Sequence, residues 1–160
     1  MNREMRRQDR KTTDPTMIAE VLDKATVMHL GLVDDGRAYV VPLNYGWLES
    51  DGHYSLYAHS AQDGRKIDLI GDGAEVGFEM ECGVAYFYAD KACGYGNRFQ
   101  SIIGEGKAVL LETAEEKRAG LTAIMNHYSN RSDWTFDDAL VDRVHVIKID
   151  VTALSCKLNM

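Results

Sequence analysis

The chain has 160 residues, 45% of them hydrophobic and 27% charged, with a formal net charge of −7. That profile fits one soluble domain with its own core, and it excludes the broad cationic face that polyanion binding requires, so no nucleic-acid partner is expected and any phosphate site must be local. The apolar runs are strand-sized, short of the roughly 20 residues of a membrane-spanning helix, and no signal segment opens the chain, so we expect no membrane association and a cytoplasmic location.

Residues 1–13 form a basic arm with almost nothing to bury, carrying Arg3, Arg6, Arg7, Arg10 and Lys11, and 14–160 read as a single domain. Asp14-Pro15 supplies an N-cap and a proline at the first helical position, and Ile18, Val21, Leu22 and Ala25 recur at helical spacing, which predicts a helix over Pro15–Lys24. Strands follow at Thr26–Val33, Arg37–Leu48 and Tyr54–His59, joined by Asp34-Asp35-Gly36 and Ser50-Asp51-Gly52, the chemistry of tight hairpins. Pro42 removes a ladder donor, which predicts an edge or a bulge there. A short helix is expected over Arg65–Ile70, then strands at Ala74–Cys82, Val84–Ala89 and Phe99–Glu112, the last carrying Gly104 and Gly106 where a barrel would bend. Thr113 and Glu116 form a capping box for a helix that ends near Ser129-Asn130, and Val144–Val151 is a last alternating strand. A small barrel with flanking helices suits this order, because closing the sheet removes its edges.

One octapeptide concentrates binding chemistry: His59-Ser60-Ala61-Gln62-Asp63-Gly64-Arg65-Lys66. A strand running into a glycine turn and then a helix can offer free N–H groups, the positive helix end and two cations to one anion. The same residues also suit a plain cap, with Arg65 and Lys66 in water. The five histidines show no i,i+4 pair or tight Cys/His spacing, so no metal is expected. His59 ends its strand beside the turn and is the one candidate for a catalytic histidine. Cys82, Cys93 and Cys156 lack a CxxC pair and read as free thiols. No Gly-x-Ser-x-Gly elbow, Walker loop or Gly-x-Gly-x-x-Gly turn in the right context is present.

Taken in order, Arg6-Arg7-x-Asp9-Arg10, Tyr39-Val40-Val41-Pro42-Leu43-Asn44-Tyr45, His59-Ser60-Ala61-x-x-Gly64-Arg65-Lys66, Cys93-x-Tyr95-Gly96 and Ser101-x-Ile103-Gly104-x-Gly106 resemble the pyridoxamine 5'-phosphate oxidase-like flavoproteins. Within them the order resembles the nitroimidazole-resistance branch. The resemblance implies a mainly β fold, a six-stranded antiparallel FMN-binding split barrel with flanking helices, which pairs as a homodimer with FMN between subunits and reduces a small acceptor such as a nitroaromatic. It implies that Arg65 and Lys66 contact the FMN phosphate and that Ser60, Ala61 and Gly64 shape the loop. Val41, Pro42, Leu43 and Asn44 would run along the ring, His59 would lie near it, and Gln100 with Ser101 would come from a neighbouring strand or subunit. The chain departs from the family at Arg98-Phe99-Gln100-Ser101, where Lys-Tyr-Arg-Ser is frequent and the middle arginine is lost. An FMN carries a phosphate and a planar apolar ring, so one cationic turn and one apolar strand face suit it. Two other readings stay open: a barrel that binds haem or another flavin or acts as a ligand sensor, and a structural module whose arm recruits a protein. Trp134 and Phe136, aromatic residues in a polar loop, are expected to cover a neighbour's cleft.

Overall fold

The computed structural model describes residues 4–129 and 131–160; Arg3 of the arm and Asn130, expected at the close of the second long helix, lie outside them. A 3-10 turn at Gln8–Arg10 leads into a two-residue strand, β1 (Lys11–Thr12), so the described part of the arm joins the fold. Asp14 accepts the Thr16 N–H at 2.9 Å, and α1 spans Pro15–Lys24. The chain continues as β2 (Met28–Asp34), β3 (Arg37–Leu43), β4 (Gly46–Ser50), β5 (His53–Ala61) and α2 (Arg65–Ile70). Then come β6 (Ala74–Phe87), β7 (Gly96–Leu110), α3 (Ala114–Tyr128), α4 (Asp138–Asp142) and β8 (Val144–Asn159). None of the described helices is long and apolar enough to cross a membrane.

The strands form one antiparallel sheet in the order β3-β2-β6-β7-β8-β5-β4, with β1 paired to the carboxyl-terminal part of β8, and the sheet curls as a split barrel. Both predicted hairpins are present: Asp35 and Gly36, like Asp51 and Gly52, all have positive φ, as their turns demand. Pro42 lies on β3, which ends the strand order, so its missing donor leaves no gap inside the sheet.

The sheet has eight strands rather than six. One extra is β1; another arises because the strand expected over Arg37–Leu48 breaks at Asn44–Tyr45. Conversely β6 runs through Gly83, where two strands were expected, by a register shift between Cys82 and Ala85 with Gly83 at φ 65. Glycines do bend β7: its register against β8 shifts between Glu105 and Gly106, the Phe78 ring occupies the space over Gly104, and the Asp150 carbonyl that over Gly106.

Inside the curl, Met28, Leu30, Leu56, Ala58, Met80, Ile102, Ile147 and Ile149 are fully buried, joined by Val21 and Leu22 of α1 and by Ile67 and Ile70 of α2. Each such aliphatic side chain contributes about 1.5–3 kcal/mol. A second cluster on the other side of β5 and β8 seats α3 through Tyr57, Leu111, Ala123, Ile124 and Val146, and Gly120 lets the helix approach Val146 and Tyr57 closely. The capping box at Thr113 and Glu116 forms as read from the sequence.

Tyr45 explains the break after β3. It is fully buried, and its hydroxyl donates to the carbonyls of Leu22 at 2.6 Å and Ala25 at 3.1 Å. Burial pushes its phenol pKa upward, which keeps this donor protonated. Its own N–H donates to the Tyr128 hydroxyl at 3.0 Å, and His127 lies 2.6 Å from its carbonyl through Nδ1 and 3.2 Å from that of Asp23 through Nε2. The chain therefore turns inward under α1 and α3 instead of pairing onward. At Gly46 a Cβ would collide with the α3 backbone at Ala123 and Ile124.

Two substitutions test this clamp. Tyr45→Phe should lower the unfolding free energy by about 1–3 kcal/mol, since the Leu22 and Ala25 carbonyls lose a buried donor. Gly46→Ala should cost about 1–3 kcal/mol by driving α3 off the sheet. Urea midpoints measured against the wild type check both.

Candidate functional site

β5 alternates in burial, which sorts the octapeptide onto two faces of the barrel wall. Ser60 continues the inward row of Leu56 and Ala58 and is 5% exposed, while His59 and Ala61 are exposed on the opposite face. The Ser60 Oγ is fully buried and has no hydrogen-bond partner among the described residues. Gly64 starts α2 at φ 141, a conformation that side-chain-bearing residues rarely adopt, and its carbonyl accepts from Ile67 at 2.8 Å and Asp68 at 3.2 Å. No side chain caps the helix, so the plain-cap reading of Ser60 and Asp63 does not hold.

The two cations differ. Arg65 bonds Asp34 through Nε at 2.7 Å and through a terminal nitrogen at 2.5 Å, and its guanidinium lies 4.4 Å from the centre of the Tyr39 ring. Lys66 is half-buried and has no ion pair or hydrogen bond among the described residues. Gln62 donates to the Asp142 carbonyl at 3.1 Å, which fastens the turn to α4.

The Arg65 contacts also bring β3 to the turn, because Asp34 ends β2 and Tyr39 lies on β3. Val41 and Leu43 pack half-buried against the core, whereas Val40 and Pro42 are exposed on the outer face. Asn44 is exposed just past the strand, with its amide 3.4 Å from the Thr26 carbonyl. Since β3 ends the strand order, its N–H and C=O groups that point away from β2 face no further strand. An open backbone edge thus runs from the turn to Asn44.

Gln100 and Ser101 lie elsewhere. They sit on β7, separated from β3 by β2 and β6 in the sheet. Gln100 accepts from the Cys82 thiol at 3.6 Å, and its amide nitrogen lies 3.5 Å from the Met160 sulfur, beside a cleft of about 240 Å³ that also meets Lys24, Arg98 and Phe99. Ser101 is 9% exposed. One chain does not bring this pair to the turn.

Among the described residues no three His, Cys, Asp or Glu side chains gather as a metal site. The cysteines are free, with Cys93 exposed, the Cys82 thiol pushed up by burial, and Cys156 pushed up by burial to about 11, so neither inner thiol is an activated nucleophile. Trp134 is held within its own loop, donating to the Arg131 carbonyl at 3.1 Å beneath the Arg131 guanidinium. Two features escaped the sequence reading. One is the Arg65–Asp34–Tyr39 latch. The other is an outward pair of His29 and Glu79, Nδ1 to Oε2 at 3.1 Å, directly beside Pro42. The Asp34-Asp35-Gly36 turn pairs Asp34 with Arg37 and so fixes His29 opposite Pro42, a signal available in the sequence; the pairing of β2 with β6 is non-local and was not.

Comparison with known proteins bears on the fold and the family. No curated protein matches the chain in sequence. A candidate 5-nitroimidazole antibiotic resistance protein from Bacteroides thetaiotaomicron is similar in structure at a TM-score of 0.78 with 32% identity, over 92% of this chain and 85% of its own. The flavocytochrome Anf3 from Azotobacter vinelandii shares the fold at 0.80 with 18% identity, over 98% and 72%. The FAD and haem binding protein from Mycobacterium smegmatis shares it at 0.81 with 17% identity, over 94% and 73%. The sequence family described as pyridoxamine 5'-phosphate oxidase matches residues 14–158, and the chain belongs to that family, on the side of its nitroimidazole-resistance-like members.

Proposed function

We propose that this chain is an FMN-dependent oxidoreductase, a cytoplasmic homodimer that reduces a small nitroaromatic acceptor. One observation carries the reading: among the described residues the Ser60 hydroxyl is buried without a partner, at a turn whose helix end has no side-chain cap and whose Lys66 has no carboxylate partner. A buried polar group left unpaired costs about 1–3 kcal/mol, a cost that an anion accepting from it removes. The donor set fits a phosphate: one hydroxyl, the free N–H groups at the start of α2 and one ammonium.

In this reading Ser60, Lys66 and the backbone from Ala61 to Gly64 hold the phosphate, while Arg65 acts through Asp34 and Tyr39 to keep β3 beside it. The open edge of β3 from Val41 to Asn44 hydrogen-bonds the polar rim of the ring, and Val40 and Pro42 present an apolar face to it. His59, on the outer face of β5, points toward the ring or the acceptor rather than the phosphate. Bound flavin supplies hydride or electron transfer, so the protein needs no acid–base pair of its own for that step. Gln100 and Ser101 belong to the site of a second copy, and the exposed Val84, Tyr86, Phe87, Tyr88, Tyr95 and Ile103 give that copy an apolar surface to cover.

The names of the similar structures include a flavocytochrome and an FAD and haem binding protein, which supports a flavin and keeps haem as the rival. The visible absorption spectrum of the purified protein separates them. Flavin bands, or their uptake from added FMN, support the reading, whereas a colourless protein that takes up no FMN, or a haem Soret band, overturns it.

Two variants test the phosphate end. Lys66→Ala should weaken FMN binding roughly 10- to 100-fold, the loss of one charge-assisted contact of about 1.5–3 kcal/mol, and fluorescence titration reads it. Ser60→Ala should act with opposite signs: the flavin-free protein gains about 1 kcal/mol of stability, because an unpaired buried hydroxyl is gone, while FMN affinity falls. Equal losses of stability and affinity would make Ser60 a packing residue only.

A further inference from the structure

We infer that His29 is the redox-linked proton acceptor of this site, taking up one proton when the bound flavin is reduced. The inference rests on the flavin reading above. His29 lies on the outer face of β2, paired in register with Pro42 of the proposed ring-bearing strand on one side and with Glu79 of β6 on the other. Its Nδ1 lies 3.1 Å from the Glu79 carboxylate, which accepts from it and so fixes both the ring orientation and the proton on that nitrogen. Nε2 has no hydrogen-bond partner among the described residues and is the free end of the pair. Both side chains are partly exposed, at 46% and 37%, on a face that carries the apolar Val40, Pro42 and Ile103 together with the carboxylates of Glu81 and Glu105.

That surrounding matters because reduction by two electrons and one proton leaves a negative charge on the flavin. On a wall of carboxylates and apolar side chains, a protonated His29 is a cation one residue pair from Pro42. The balance is simple: a chemical reductant or a reduced pyridine nucleotide supplies the electrons, water supplies one proton to the flavin and one to Nε2, and the Nδ1 proton stays with Glu79. The titratable groups on this face are Glu79 and Glu81 of β6 and, two residues along β7 from Ile103, Glu105; β3 presents Pro42, β7 presents Ile103, and Arg65 of α2 meets β2 at Asp34. His59 has no such carboxylate partner among the described residues.

The test is the pH dependence of the midpoint potential of FMN bound to the intact protein. Each proton taken up with two electrons changes the reduction equilibrium tenfold per pH unit, about 30 mV. Wild-type protein should show a pH interval in which the slope doubles, because His29 adds a second proton. His29→Gln should show the single-proton slope in that interval, and His53→Gln, at an exposed position outside the proposed site, should keep the wild-type profile. A His29→Gln profile identical to wild type, or loss of the doubled slope in His53→Gln instead, overturns the role of His29 in protein that still binds FMN. Failure of the wild type to take up any FMN overturns the cofactor reading itself, and the role of His29 with it.

Discussion

The candidate site depends on one latch: the Arg65 guanidinium held by Asp34 and laid over Tyr39. Besides it, α2 and the β2–β3 hairpin are joined through the core, where Ile67 and Ile70 pack with Leu30 and Leu32. As a contribution to stability the latch is small, since its partners are 54% and 34% exposed and pairs of that kind contribute about 0–1 kcal/mol, with a similar amount from the stacked ring. Its importance is positional. A guanidinium held by two of its nitrogens on one carboxylate oxygen and laid on a ring face has few alternative geometries, so it fixes the angle at which the helix end meets the open edge of β3. It also divides the two adjacent cations, since Arg65 is engaged inside the protein and Lys66 has no ion pair among the described residues.

Much of the local structure was legible because it depends on local chemistry. The two Asp-Gly turns set their hairpins and, through them, the register of β2 with β3 and of β4 with β5. Asp14-Pro15 and the Thr113–Glu116 box placed two helix starts, and Gly104 and Gly106 marked the bend of β7. What failed was non-local. The alternation across Arg37–Leu48 continues past Leu43, but Tyr45 is drawn inward by carbonyls of α1, far away in sequence. The carboxyl-terminal part of β8 is a strand because β7 and β1 lie on either side of it, and α4 is a single short turn held by Asp137 and the buried Val141.

The site was legible in composition but not in assignment. Eight residues from His59 to Lys66 announce a hydroxyl, a glycine turn and two cations, yet nothing in them says which cation has a carboxylate waiting 31 positions upstream. Nor does composition distinguish the two faces of β5. Period-two alternation does: once Leu56 and Ala58 are placed inside, Ser60 must follow them and His59 must face out. The same rule puts His29 on the outer face with Pro42, although the carboxylate that orients it comes from β6.

The net charge of −7 gives this division its sense. A chain with that balance repels anions over most of its surface, so a phosphate can be held only where donors converge at short range and partly out of water. In the proposed reading the Ser60–Lys66 turn is such a place, because the barrel wall supplies both of its surroundings. Inward lies the apolar core that strips water from the Ser60 hydroxyl; outward lies an exposed strand face with histidines and an open backbone edge. In the proposed reading the anionic end of the ligand meets that wall where β5 ends and α2 begins, and this constrains the chemistry of what binds more tightly than any single residue does.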